Sequence, residues 1–117
     1  MDAAEFVKDI TFKMCDHDFD LDLVESTFAD DFVHHANGVR SDKAGYLARG
    51  REYREQFTSI DRPEFDELVA AGDRVVVAYT LNLHRQDGSD ERMAVMAIWT
   101  VADGKVTALR EVDAPAG

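Results

Sequence analysis

The stretch RVVVAYTLNLH, residues 74–84, is a long run of β-branched, aromatic and aliphatic residues with no helical period, so it reads as a strand. The segment ERMAVMAIWTV, residues 91–101, is a second such strand, and QDGSD between them supplies turn chemistry. Working outward, EFDELVAA (64–71) alternates and ends at a Gly-Asp turn, while KVTALREVD (105–113) follows the turn ADG. Four consecutive strands joined by hairpin signals predict an antiparallel meander. In VVVAYTLNL and MAVMAIW apolar residues fall on both faces, more than helices on one face can cover.

The first half of the chain carries a different period. Phe6, Val7, Ile10 and Met14 sit at helical spacing within residues 2–16. Asp20 can N-cap a short second helix holding Leu23, Val24 and Phe28, which Asp30 and Asp31 end. FVHHA (32–36) reads as a short strand of the same sheet, closed by the turn Asn37-Gly38. Ser41 opens a third helix that runs to about Phe57, with Asp42 in its first turn. Its stripe is Tyr46, Leu47, Gly50, Tyr53 and Phe57, and Arg49, Arg51, Glu52, Arg54 and Glu55 occupy the remainder. Helices first and a meander after them predict an α+β fold, a curved antiparallel sheet wrapped around three N-terminal helices, in one domain spanning residues 1–117.

Composition narrows the function. The chain has 24 acidic and 13 basic residues, for a net charge of -11, a field that repels phosphate backbones and anionic membrane surfaces. No nucleic-acid or membrane partner is expected. The N-terminus carries acids where a signal peptide needs a basic region, and no segment approaches membrane-spanning length. A single cysteine, Cys15, fits a reducing cytoplasmic location and reads as a structural thiol, since no cation adjacent in sequence would stabilise its thiolate. No metal is expected: histidines adjacent on a strand diverge, and the acid-rich DHDFDLD lacks the glycine and glutamate of a calcium loop. There is no glycine-rich phosphate loop, so no nucleotide is expected, and no nucleophile elbow, so no Ser-His-Asp hydrolase is expected; the expectation is a chain without a cofactor.

The order of elements, together with FADDFVHHANG, AAGDRVVVAYTL, MAIWTVADGKV and LREVD, resembles the nuclear transport factor 2-like superfamily. Within it, the SnoaL-like polyketide cyclases and ketosteroid isomerase-like proteins look most similar. The resemblance implies a cone with a mostly apolar pocket at its open end, a homodimer, and activities that include isomerases, cyclases, dehydratases and epoxide hydrolases alongside non-catalytic binding modules. The positions matching the isomerase base and oxyanion hole are Ala36, Phe12 and Ala97, which exchange no protons, so that mechanism is excluded. The positions matching the epoxide hydrolase Arg-Asp pair and last-strand acid are Tyr79, Leu81 and Glu111, so only the acid is kept. SnoaL-like cyclases imply a first-strand histidine, here His34 or His35, and an acid near the end of the last strand, here Asp113.

Alternation puts Phe32, His34 and Ala36 on one face and Val33, His35 and Asn37 on the other. The isomerase match turns Ala36 inward and His34 with it, whereas the cyclase histidine falls nearer His35. On the last strand Leu109, Glu111 and Asp113 share a face, so either acid can stand at a pocket mouth. The expected catalytic group is therefore His34, Asp113, Glu111 and His35. The expected pocket wall is Phe12, Phe32, Tyr46, Tyr53, Tyr79, Trp99 (or Ile98) and Leu109, and the expected ligand is a hydrophobic small molecule. Arg74 and Arg110 alternate outward as surface or interface charges, and a dimer through the outer face would bury Thr80, Asn82, Met96 and Trp99. Two readings remain: a cofactor-free cyclase, isomerase or dehydratase, and a binding or dimerisation module that kept only the fold.

Overall fold

A computed structural model describes residues 2–116. Helix α1 (Ala3–Met14) starts where the Asp2 carboxylate accepts the Glu5 backbone N–H, and it buries Val7, Ile10 and Thr11. The expected second helix is two 3-10 turns, Leu21–Leu23 and Glu25–Thr27. Its last assigned residue, Phe28, already opens strand β1 (Phe28–Ala36), so Asp30 and Asp31 lie inside a strand instead of ending a helix. Asn37 and Gly38, both at positive φ, turn the chain into the short strand β2 (Val39–Asp42). Helix α2 (Lys43–Arg54) is capped by Asp42, which accepts from the Gly45 N–H, one residue later than Ser41. It stops short of Phe57, which opens β3 (Phe57–Ile60). There follow β4 (Glu64–Ala71), β5 (Arg74–Arg85), β6 (Asp90–Ala102) and β7 (Lys105–Pro115).

These strands form one curved sheet in the order β2-β1-β7-β6-β5-β3, with β4 also paired to β5. The four predicted strands are β4 to β7, and each consecutive pair is antiparallel. β1 joins them by parallel pairing with β7, which sets His34 opposite Leu109 and Ala36 opposite Glu111. That long-range pairing builds the site, because it lays the first-strand histidine beside the last strand.

The helices cover the inner face. Phe28, Phe32, Leu47, Val75, Val77, Val95, Trp99, Val106 and Leu109 are buried there with Val7 and Ile10. Arg54, at the end of α2, ties the helices together: its Nη2 donates to the Lys13 and Met14 carbonyls, both at 3.0 Å, and its Nη1 to those of His17 and Phe19. One guanidinium thus gathers carbonyls from the end of α1 and from the turn beyond it, where the Lys13 carbonyl also accepts the Asp16 N–H. Among the described residues no helix is long and apolar enough to cross a membrane.

Candidate functional site

Between α2, the end of α1 and the inner face of the sheet lies an open cavity of about 450 Å³. Its apolar wall comes from Met14, Ala36, Ile60, Leu81, Leu83, Met93 and Val95, and Tyr46, Tyr53 and Tyr79 also line it. His34, Arg49, Glu111 and Asp113 bring polar groups to the same space.

The parallel β1–β7 register brings His34 and Glu111 together: His34 Nε2 lies 2.6 Å from Glu111 Oε1. The other ring nitrogen, Nδ1, has the Ser41 hydroxyl and the Arg49 guanidinium each at 3.4 Å. Arg49 also donates to the Ser41 hydroxyl oxygen. A guanidinium can only donate, so Nδ1 is the accepting nitrogen and the proton of the neutral ring sits on Nε2, aimed at the carboxylate. The ring is packed against Tyr46, with centroids 4.5 Å apart, and stacked toward Phe32. His34 is 5% exposed while Glu111 keeps a face on the cavity. Of the pair the carboxylate is the more accessible, its side chain 20% exposed against 6% for the ring.

Asp113 lines the same cavity but is engaged elsewhere. The Asn37 amide donates to Asp113 Oδ1 at 2.9 Å, and Asn37 Oδ1 accepts the Asp113 backbone N–H at 3.1 Å. Together with the Asn37 N–H bond to the Glu111 carbonyl, these hold the end of β7 against the β1–β2 turn. Of the two acids that sequence parity could not separate, Glu111 meets the histidine.

Several predicted positions lie elsewhere. His35 faces the outer side of the sheet, in a shallow groove with Arg74 and Arg110. Phe12 is off the cavity, edge-on to Phe65 and covered by the Arg62 guanidinium 3.8 Å from its ring centre, because the buried stripe of α1 turns it toward β4. Phe32, Trp99 and Leu109 are core residues, at 1%, 2% and 1% exposure, beneath the cavity wall. Trp99 also cannot serve an outer-face interface, since it shares the inner side with Val95 and Ala97; Ile98 points outward.

Three contributors carry no signal along the sequence. Ser41 reads there as a helix start and Arg49 as part of a solvated helix face, yet the β1–β2 pairing sets Ser41 beside His34 and helix α2 brings Arg49 to the same ring. Cys15 walls the cavity, where its thiol is hydrogen-bonded to Tyr79 and burial pushes its pKa up to about 12. Burial, reinforced by the Glu111 charge, raises Tyr46 and Tyr79 well above the ordinary phenol, so both hydroxyls stay protonated donors. Among the described residues no group of three or more His, Cys, Asp or Glu converges in a way that could hold a metal ion.

The SnoaL-like domain profile matches residues 14–109. The chain belongs to the SnoaL-like family. Solved structures agree on the fold of this SnoaL-like chain. A protein from Jannaschia assigned to the SnoaL-like polyketide cyclases is 18% identical, with a TM-score of 0.78 over 93% of this chain and 83% of its own. A nuclear transport factor 2-like protein from Anabaena variabilis is 14% identical, with a TM-score of 0.80 over 97% and 87% of the two chains. An LEH-like epoxide hydrolase of M. tuberculosis is 18% identical, with a TM-score of 0.73 over 95% and 83%. No curated protein matches by sequence. At these identities the likeness is one of fold, and chemistry has to be argued from the site.

Proposed function

We propose that this SnoaL-like chain is a small enzyme that works with its own side chains, using Glu111 as general base and His34 as the residue that orients it. The observation that carries this reading is the 2.6 Å His34–Glu111 contact in the wall of a largely apolar cavity. The substrate class is a hydrophobic small molecule with a C–H bond acidified by a neighbouring carbonyl. Glu111 takes that proton on its cavity-facing oxygen, while Oε1 keeps the bond from His34 Nε2–H. The Tyr46 hydroxyl, on the ring packed against His34, can donate to the developing enolate oxygen. Return of the proton at a different atom gives an isomer, and attack of the enolate carbon on a second carbonyl of the same molecule gives a ring, the carbonyl π bond opening to an alkoxide that takes the proton back from Glu111. The chain acts as a homodimer in this reading, joined through the outer face of the sheet.

The test is hydrogen–deuterium exchange in D2O. Planar aromatic polyketides and steroid ketones are first screened by thermal shift, and those that bind are followed by NMR at the acidified carbon. Exchange catalysed by the wild type and lost by about two orders of magnitude or more in Glu111→Gln supports the reading, since that is the usual worth of acid–base catalysis. Binding without catalysed exchange overturns it and assigns the cavity to a binding module.

A further inference from the structure

The outer face of the sheet holds a hollow flanked by cations. Strand pairing sets Val33, Ala108, Thr100 and Arg74 in one row across β1, β7, β6 and β5. The next row is Arg40, His35, Arg110 and Ile98 across β2, β1, β7 and β6. Ala108 and Thr100 are short, and the longer side chains around them leave a groove of about 200 Å³ whose lining includes His35, Arg74, Ile98 and Arg110. Arg74 and Arg110 stand at opposite corners of it. Strand spacings put their Cα atoms about 12 Å apart, so both guanidinia can reach an ion seated over Ala108 and Thr100. Arg40, His35 and Arg110 lie directly opposite one another, an arrangement that costs stability when nothing neutralises it. Neither these three nor Arg74 nor the Thr100 hydroxyl has a hydrogen-bond or ion-pair partner among the described residues. Other arginines are committed: Arg51 to Asp22, Arg85 to Glu91 and Arg54 to four carbonyls. Among the described residues no carboxylate lines the groove.

We propose that this groove is a binding site for a small tetrahedral dianion free in solution, of the inorganic phosphate class. Two guanidinia face the groove, and a dianion neutralises both where a single carboxylate neutralises one. Their planar forks match the edges of an oxyanion, and the Thr100 hydroxyl and a His35 ring N–H add donors. The volume is below the roughly 300–1,000 Å³ of sites for organic ligands, which suits one oxyanion and its water. The net charge of -11 opposes an anion at long range. At 0.1 M salt, however, charges beyond a Debye length of about 10 Å are largely screened, and the local cations decide. The acids placed nearest by strand register and sequence are Asp42, opposite Val33 and engaged as the α2 cap, and Asp73, in the turn before Arg74. The site rests neither on the catalytic reading nor on the homodimer. Where two copies pair through this face, the dianion neutralises charges that pairing would otherwise desolvate, so phosphate then strengthens the pairing.

Calorimetric titration with sodium phosphate, in Tris chloride at fixed ionic strength, tests it. Wild-type protein is expected to bind one phosphate per chain, saturably and in the millimolar range or tighter. Arg74→Gln and Arg110→Gln are each expected to weaken binding by about tenfold or more, as loss of a charge-assisted fork should. Lys8→Gln makes the same charge change on α1, across the sheet, and is expected to leave the affinity within about twofold. Ala108→Leu keeps every charge but fills the hollow, and is expected to abolish binding. Should that variant fail to fold, Thr100→Val keeps the shape, removes one donor and is expected to weaken binding several-fold. Heats that do not saturate overturn the site. An affinity that falls equally in Lys8→Gln and Arg110→Gln overturns it in favour of diffuse charge. Saturable binding that survives in folded Ala108→Leu, or is unchanged in Thr100→Val, places the phosphate elsewhere and also overturns it. Retention on phosphatidylserine vesicles without saturable phosphate binding overturns it and assigns the cations to a membrane surface.

Discussion

His34 and Glu111 show how one contact separates the roles of two titratable residues. The ring is nearly sealed by Tyr46 and Phe32, while the carboxylate opens on the cavity, so the two substitutions have different consequences. Sequence alternation alone suggests that neither His34 nor Asp113 fills core volume; burial of the ring overturns this for His34. His34→Ala leaves a hole beside Tyr46 and strips Glu111 of its donor, and is expected to cost about 2 kcal/mol in chemical denaturation, at the low end for emptying a buried site. Glu111→Gln keeps the shape and an acceptor oxygen for His34, so the denaturation midpoint should move little while proton exchange is lost. Asp113→Asn retains much of the Asn37 clamp and should leave exchange within a few-fold of wild type; a loss as large as that of Glu111→Gln would make Asp113 the base. Cys15 gives a check that needs no substrate. With its thiol pushed up to about 12, the thiolate is scarce at pH 8, so alkylation in the folded protein should be far slower than in denaturant. Equal rates would show that the thiol is neither buried nor held by Tyr79.

At the scale of elements, two side chains tie segments that the sheet alone leaves loosely joined. Arg54 gathers the carbonyls at the end of α1 and in the turn beyond it. Arg54→Lys keeps the charge but cannot fork across several carbonyls, and a loss of about 2 kcal/mol is expected from bonds to a charged donor. Faster amide exchange should be confined to the end of α1 and residues 15–19. His84 on β5 bonds Asp90 at the start of β6 and Asp61 after β3, at 2.8 and 2.9 Å, and its pKa is raised, first by the Asp90 bond and then by that to Asp61. The unfolded imidazole titrates near 6.5, so the contribution is complete below that pH and is lost as pH rises through the raised folded value. The melting temperature of wild type should therefore exceed that of His84→Gln most at pH 6, with the gap narrowing above neutrality; a gap that widens with pH would contradict the clamp. These ties also mark where sequence reading stops. β4 to β7 are legible because each alternates over many residues between recognisable turns. β2 and β3 are too short to show a period, and each is a strand only because β1 or the end of β5 lies beside it. Glu111 and Asp113 share a face, so no pattern along β7 could choose between them. The choice comes from the parallel β1–β7 register and from Asn37, contacts between residues more than seventy positions apart.

At the scale of the whole molecule, the distribution of charge matters as much as its sum. Twenty-four acids against thirteen basic residues give a self-repelling chain, while the cations Arg40, Arg74 and Arg110, which have no partner among the described residues, are gathered on one face of the sheet. Alternation correctly sends Arg74 and Arg110 outward, but the row that Arg110 makes with His35 and Arg40 belongs to the pairing of three strands, and Arg74 joins it only across the groove, so the cluster has no signature along any one strand. Salt should act on these two features in opposite directions. Screening acts over a Debye length of about 10 Å at 0.1 M, so it relieves diffuse repulsion among surface acids and also weakens solvent-accessible ion pairs between copies. The first effect belongs to each chain and does not depend on protein concentration; the second belongs to association and does. In sodium chloride, chosen because it is less strongly excluded from protein surfaces than sulfate, the melting temperature of dilute, largely dissociated protein should rise from low to high salt. If the chain pairs through the outer face of the sheet, the rise at high protein concentration should be smaller, because ion pairs between copies weaken with salt. A melting temperature that falls with salt even in dilute protein would mean that attractive pairs within one chain outweigh its acidic excess.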